Sequence, residues 1–317
     1  MLLEIRNLSK TYPNGVRALD DVSLTIPPGM FGLLGPNGAG KSSLMRTIAT
    51  LQQPDAGTIY LGDPSAGSGQ RIDVLKQPDA VRRALGYLPQ EFGLYPNLSA
   101  EMVLDHFATL KGLTDAKARK RVVDALFEQV NLADARKKAV GGYSGGMRQR
   151  LGIAIALAGD PKLIIVDEPT AGLDPSERYR FLNLLAEIGE QRIVILSTHI
   201  VDDVRELCPR MAIINRGRVV LAGEPTQVLA SVAGKLWRRD MSRDELEAAR
   251  TSHEVISVRL VAGRPVVHVY AESQPDPRWV PVEPDLEDVY FHTLGRAGAS
   301  EPAGAAAAPA DAPLQPA

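Results

Sequence analysis

Gly35-Pro36-Asn37-Gly38-Ala39-Gly40-Lys41-Ser42 decides how this chain folds, because it fills every fixed position of the pattern G-x-x-x-x-G-K-[ST]. Each fixed position has a physical task. Glycines let successive backbone N–H groups converge on phosphate oxygens, and a helix beginning at the end of the loop adds partial positive charge. Lys41 supplies a cation for β- and γ-phosphates, and the Ser42 hydroxyl can ligate Mg²⁺. With glycine near 7% of residues, a chance match in such a chain has a probability of about one percent. The setting also fits, with the apolar run 30–34 reading as a buried strand before the loop and a helix over 42–51 after it. Gly35, Pro36, Asn37, Gly38, Ala39, Gly40, Lys41, Ser42 and Ser43 are therefore expected around a bound nucleotide.

Outward from the loop, residues 1–30 alternate apolar and polar (Leu3, Ile5, Leu8; Val22, Leu24, Ile26), which predicts short antiparallel strands. A strand is expected over 57–61, and the composition of 62–71, GDPSAGSGQR, is that of a loop. From about 81 to 160 the pattern is helical, best over 98–110, 117–130 and 147–158. Strands over 163–168 and 193–197 then alternate with helices over 176–188 and 201–207. Apolar strands alternating with helices predict an α/β fold on a mostly parallel, covered sheet. Beyond about 225 the pattern changes. VISVRLVAG and RPVVHVYAE form a hairpin pattern pivoting on Gly263, and a last helix is expected over 286–294. Together they predict a small α+β accessory unit over 225–294. The Ala/Pro-rich stretch 295–317 has too little apolar surface to order and is expected to be a disordered tail.

The 317 residues suffice for one large α/β domain and a smaller appendage, and the net charge of −2 offers no basic field for nucleic acid. Cys208 is the single cysteine, so no internal disulfide forms and a reducing compartment fits. The beginning MLLEIRNLSKTY mixes charges into its apolar residues, unlike a signal peptide, and no apolar run is long enough to span a bilayer. A cytoplasmic location is expected, with any membrane part on another polypeptide.

Downstream segments narrow the chemistry. Asp167 ends an apolar strand, so its carboxylate emerges at the C-terminal edge of the sheet, where ligands bind in such folds. Ser144-Gly145-Gly146 opens a helix: serine caps helix N-termini and the glycines leave backbone N–H groups bare to an anion. The sequence thus holds two anion-binding helix starts. Gln90 in GYLPQ, Ser144-Gly145-Gly146 in YSGGMRQR, Asp167-Glu168 in LIIVDEP, Asp174 in AGLDP and His199 in ILSTHIVDD follow the loop in that order. Over residues 1–224 this resembles the ATPase subunit of an ABC transporter, with a P-loop NTPase core, an antiparallel β subdomain and a helical signature subdomain over about 88–160.

The resemblance implies roles for particular residues. Tyr12 matches the aromatic that stacks on adenine, with Val16 beside the same ring. Asp167 holds Mg²⁺ through water, together with Ser42 and Gln90. Glu168 is the general base, His199 the γ-phosphate switch, and Gln90 touches Mg²⁺ and the attacking water at the start of a loop facing the membrane partner. Ser144, Gly145 and Gly146 contact the γ-phosphate on an opposite subunit, with Asp174 at the same interface. ATP is then sandwiched in a head-to-tail dimer with a copy or paralogue. Tyr143 and Met147 replace the leucine and glutamine of the commonest signature, LSGGQ, while the Ser-Gly-Gly core is intact; this shifts emphasis toward exporter-like subfamilies.

One ATPase unit without membrane helices implies separate integral permease subunits and attachment to the inner face of the cell membrane. The ending PDLEDVYFHTLG resembles that of ATPase subunits of bacterial multidrug and antibiotic exporters. Whether that helix only packs, or dimerises or regulates, stays open. An importer subunit would share every nucleotide residue. A soluble ABC protein of translation or DNA repair usually carries paired ATPase domains or a long coiled-coil insertion, and neither is present. A metabolic P-loop kinase would lack the Ser-Gly-Gly helix start, and a non-hydrolysing regulator would not retain Lys41, Asp167, Glu168 and His199. The cargo is not encoded here, because specificity belongs to the permease.

Overall fold

The computed structural model describes residues 1–63 and 71–299. Most of the expected loop over 62–71, and the expected tail from residue 300 onward, lie outside these described residues.

The chain begins with an antiparallel sheet ordered β2-β1-β4-β5, from β1 (Leu2–Thr11), β2 (Arg17–Ile26), β4 (Ala56–Gly62) and β5 (Ile72–Asp73). Period-2 alternation sets its register. Ile5 lies opposite Leu24 on one side and Ile59 on the other, so all three apolar side chains share the inner face. The first two strands are each ten residues, longer than the short strands expected.

The second sheet has the order β10-β9-β3-β8-β7-β6, from β3 (Gly29–Leu34), β6 (Leu85–Leu88), β7 (Leu163–Asp167), β8 (Ile193–Thr198), β9 (Arg210–Asn215) and β10 (Arg218–Gly223). The strands from β9 to β6 run parallel, and β10 returns antiparallel at the edge. The expected mostly parallel sheet is present. Its central strands are apolar throughout because both faces are covered. Phe31, Leu33, Ile165 and Ile195 pack toward the antiparallel sheet and α1 (Lys41–Ile48). Leu34, Ile164, Val166, Val194 and Leu196 pack the other way, in a core shared with the helices of the next stretch.

That stretch holds α2 (Pro78–Ala84), α3 (Ala100–Leu110), α4 (Ala116–Gln129) and α5 (Gly145–Leu157); α6 (Pro175–Gly189) and α7 (Val201–Leu207) follow β7 and β8. Side chains start most of them: Ser99, Asp115, Ser144 and Asp174 each accept a backbone N–H from the first turn of α3, α4, α5 and α6. The expectation of continuous helical structure from 81 fails at β6. LGYL is too short to separate strand from helix by periodicity, and its pairing with β7 decides the outcome.

After α8 (Pro225–Val232), a third sheet is ordered β12-β13-β11-β14: β11 (Leu236–Asp240), β12 (Glu254–Val261), β13 (Arg264–Tyr270) and β14 (Val280–Pro281). α9 (Arg243–Ser252) packs on it under a full Ser242–Glu245 capping box. The hairpin pivots on Ala262 and Gly263, both at positive φ (49° and 81°). Fully buried Trp279 fills this unit's own core with Val267 and Val269. α10 (Leu286–Ala299) runs five residues past the expected end at 294, into the stretch expected to be disordered. It lies against β12 of the third sheet, against α8, and against α7, β9 and β10 of the main body.

Candidate functional site

Parallel register brings four strand ends to one edge. Leu34 pairs with Thr198, Ser197 with Asp167, and Val166 with Leu88, so the segments that follow β3, β8, β7 and β6 emerge together. Those segments carry the glycine-rich loop, His199, Glu168 and Gln90.

The loop admits no side chain at two positions. A Cβ on Gly35 would lie 2.4 Å from the Ile214 carbonyl oxygen, and one on Gly40 would lie 2.3 Å from that of Ala18. Gly40, at φ 107°, is the N-cap of α1 and supplies no side-chain cap, which leaves the first-turn N–H groups for an outside anion. Lys41 is buried and folds back, its Nζ donating to the carbonyls of Gly35 (2.6 Å) and Pro36 (3.3 Å).

Glu168 follows the last residue of β7 in the left-handed region, φ 48°, a conformation that costs a non-glycine residue about 1–3 kcal/mol. Its N–H bonds to the Ser197 carbonyl at 2.8 Å, pinning the turn to β8. The carboxylate is buried between two side-chain nitrogens: Oε1 lies 3.4 Å from Lys41 Nζ and Oε2 lies 2.7 Å from His199 Nδ1. The His199 side chain is half exposed. The Thr198 hydroxyl accepts the Ile200 N–H at 2.9 Å and shapes the turn that presents the ring.

Asp167 is buried beside them. Burial raises its pKa most, the Ser197 hydroxyl opposes this, the charge of Glu168 adds to it, and Ser42 and Lys41 oppose it. Asp167 Oδ1 and Glu168 Oε1 are both buried without a hydrogen-bond partner. The Asp167 carboxylate with its orphaned oxygen, beside the Ser42 hydroxyl, forms a hard oxygen donor set, which fits Mg²⁺, while Glu168 Oε1 is engaged by Lys41. Among the described residues no group of three or more acidic, histidine or cysteine side chains is arranged to hold a metal ion by itself. The ion would therefore complete its shell with phosphate and water oxygens, as Mg²⁺ does.

Tyr12 stands next to the loop. Its hydroxyl donates to Gln52 Oε1 (2.9 Å) and lies 3.1 Å from Ser43 Oγ. Gln52, which sequence reasoning missed, also ties Nε2 to the Ser43 carbonyl and to Thr47 Oγ1. Its only signal was a polar residue just past an amphipathic helix. Val16 is exposed.

Gln90 is exposed two residues past β6 and shares a shallow depression with Phe92, Gly145, Gln149 and Leu173. It makes no hydrogen bond to Asp167 or Glu168 among the described residues. Ser144 caps α5, its Oγ accepting the Met147 N–H at 3.2 Å, and Gly145 is exposed. Gly146 has a second reason to be glycine, since a Cβ there would lie 2.1 Å from Glu177 Oε2 on α6. Tyr143 is buried, its hydroxyl donating to the Ala135 carbonyl. Asp174 caps α6; the Glu177 N–H and the Ser176 hydroxyl hold its carboxyl below the usual range. No hydrogen bond or ion pair joins Ser144, Gly145 or Gly146 to the Gly35–Ser43 stretch among the described residues.

Asp203 on α7 was also missed. It is fully buried, accepting from Thr170 Oγ1 (2.6 Å) and Arg178 Nε (2.8 Å), and so ties α7 to the loop after Glu168 and to α6. A buried acid in IVDDV gives no sequence signal distinguishing it from a solvated helix start.

Known proteins resemble this chain. A family profile described as "ABC transporter" matches residues 19–171. The chain is 33% identical over 317 residues to the probable multidrug ABC transporter ATP-binding protein YbhF of Escherichia coli (strain K12), covering 95% of this chain and 53% of that protein. It thus spans about half the length of that relative. It is 33% identical over 307 residues to the Nod factor export ATP-binding protein I of Paraburkholderia xenovorans (strain LB400), covering 93% of this chain and 97% of that one. A solved dimeric structure of an ATP-binding cassette, in a post-hydrolysis state bound to ADP and Pi, superposes with a TM-score of 0.61 at 26% identity, covering 70% of this chain and 98% of that one. With a glycine-rich loop, a buried acidic pair and a histidine on one sheet edge, and with these likenesses along its length, the chain belongs to the ABC transporter family.

Proposed function

We propose that this chain hydrolyses ATP to drive export through separate membrane permease subunits. The observation that carries the catalytic part is the Glu168 carboxylate, held between Lys41 and His199 beside the phosphate-binding loop. Gly35 through Ser43 wrap the phosphates, Tyr12 stacks on adenine, and Lys41 exchanges its loop carbonyls for phosphate oxygens. Ser42, Asp167 and Gln90 would hold Mg²⁺, which would supply positive charge against the phosphates. Glu168 takes the proton of a water as its oxygen attacks the γ-phosphorus and the bond to ADP breaks, while His199 orients Glu168 and contacts the γ-phosphate. Glu168→Gln is expected to lower hydrolysis roughly 10²–10⁴-fold, about 3–5 kcal/mol of barrier, with ATP binding retained. Equal hydrolysis by both proteins would overturn the assignment.

The active form is a head-to-tail dimer with a copy or paralogue. Gly145 is exposed behind a serine cap and makes no bond to the glycine-rich loop of its own chain, which supports its use on the opposite protomer's nucleotide, with Asp174 at the same junction. ATP binding favours the closed dimer by its differential affinity, and loss of the γ-phosphate lets it reopen. No helix among the described residues is long and apolar enough to cross a membrane. Residues 1–224 serve as the ATPase unit and 225–294 as an accessory unit, docked at the inner face of the membrane. Export is supported by the names of the relatives, a multidrug transporter subunit and a Nod factor export protein.

A further inference from the structure

α7 begins two residues after His199, and its position sets where that ring sits. Three things fix it. Val204 packs so closely over β3 that a Cβ on Gly32 would lie 2.5 Å from its Cγ1. Asp203 ties it to Thr170 and Arg178. The third support comes from the other end of the chain. α10 packs along α7, and buried Leu286 and Tyr290 belong to the same apolar core as Val204 and Cys208.

α10 is also locked to the accessory unit. Asp288 is buried with Oδ1 2.8 Å from His268 Nδ1 on β13, and Arg259 on β12 pairs with Glu287. One helix therefore joins the third sheet to the helix that begins two residues after His199. Tyr290 lies within electrostatic reach of the site as well. Burial raises its phenol most, and the charge of Glu168 raises it further.

We infer that Tyr290 and Leu286 of α10 are positioning residues for hydrolysis, holding α7 so that His199 stays against Glu168, and that the accessory unit sets the turnover rate through them. This rests on the catalytic roles proposed for His199 and Glu168. It assigns the C-terminal unit a part in the rate at which bound ATP is cleaved, through a path that makes no contact with the nucleotide. Displacing a catalytic group by about 1 Å can cost roughly 10²-fold in rate, so a small shift of α7 suffices.

The test uses the full-length chain. Tyr290→Ala is expected to lower kcat for ATP about 10-fold or more with KM for ATP within about twofold of wild type, and Tyr290→Phe to restore the wild-type rate. If Tyr290→Ala does not fold, Tyr290→Leu keeps the apolar bulk and carries the same measurement. In a His199→Ala background, the Tyr290 substitution should cause little further loss, because its effect passes through that ring. An unchanged kcat in folded Tyr290→Ala, kcat and KM changing together, or losses that multiply with His199→Ala would each overturn the inference. Glu168→Gln, measured alongside, reports on the general base alone. A wild-type rate there rejects the base assignment while the Tyr290 and His199 pair still reads whether α10 controls turnover.

Discussion

His199 Nδ1 lies 2.7 Å from Glu168 Oε2, and the opposite oxygen of the same carboxylate lies 3.4 Å from Lys41 Nζ. The two residues directly follow neighbouring parallel strands, β8 and β7, and their pairing depends on the one-residue offset at which each strand ends. Glu168 bends back at positive φ while His199 continues past Thr198. Removing the ring leaves the Lys41 contact intact, so His199→Ala is expected to retain ATP binding and lose roughly 10²–10³ in hydrolysis. Single-turnover hydrolysis measured beside nucleotide binding separates the two effects. A variant that loses both together would show that the ring serves binding instead.

The glycines of the loop are not equivalent. Gly38 and Gly40 both have positive φ, 78° and 107°, yet a Cβ on Gly38 meets open space while one on Gly40 meets the Ala18 carbonyl at 2.3 Å. Gly38→Ala therefore carries only left-handed strain, about 1–2 kcal/mol. Gly40→Ala adds a clash with backbone that cannot swing aside, and is expected to cost several kcal/mol more or to distort the start of α1. Urea unfolding and nucleotide affinity of the two variants should differ in that order. Equal stabilities would show that Ala18 moves freely.

The sequence carried what depends on local pattern and missed what depends on pairing between distant segments. The shared edge of the loop, the acidic pair and His199 was legible because each lies at the end of an apolar strand, and strand ends in a parallel sheet share an edge, while the roles expected of Glu168 and His199 came from the resemblance. β6 was not legible. LGYL is four residues, and only its neighbour β7 makes it a strand. Gln52 and Asp203 were missed for a different reason. Each is an ordinary polar residue whose importance comes from partners nine to thirty-three residues away, Ser43, Thr170 and Arg178. Gly146 was assigned to anion binding, and its packing against Glu177 could be seen only once α6 was in place.

Cys208 closes α7 at 4% exposure, and burial pushes its thiol far above the ordinary range, with the charge of Asp203 raising it further. Alkylation requires the thiolate and access to it. Native protein should therefore react with iodoacetamide at neutral pH far more slowly than urea-unfolded protein, by a factor of 10² or more on the order expected for a buried thiol. Mass spectrometry after timed quenching measures it. Comparable rates would mean that α10 and α7 part readily in solution.

The Asp288–His268 pair gives the accessory unit a defined pH response. Burial pulls the Asp288 carboxyl up, but the hydrogen bond and charge of His268, the Asp285 N–H and Arg259 outweigh it and hold the carboxyl below its ordinary value. A carboxyl whose folded pKa is depressed stabilises the fold above the unfolded pKa, near 4, and that contribution is lost as pH falls through the folded value. At pH 7, Asp288→Asn leaves His268 without its charged partner in a buried site, and a loss of about 2–4 kcal/mol is expected. As pH falls through that folded value the wild-type carboxyl takes up its proton, so the gap between the two proteins should narrow. Unfolding of both by urea at pH 7, 5 and 3 measures the gap directly. A gap that stays constant across that range would mean that the pair contributes by shape and hydrogen bonding alone, and that acid does not loosen α10 from its sheet.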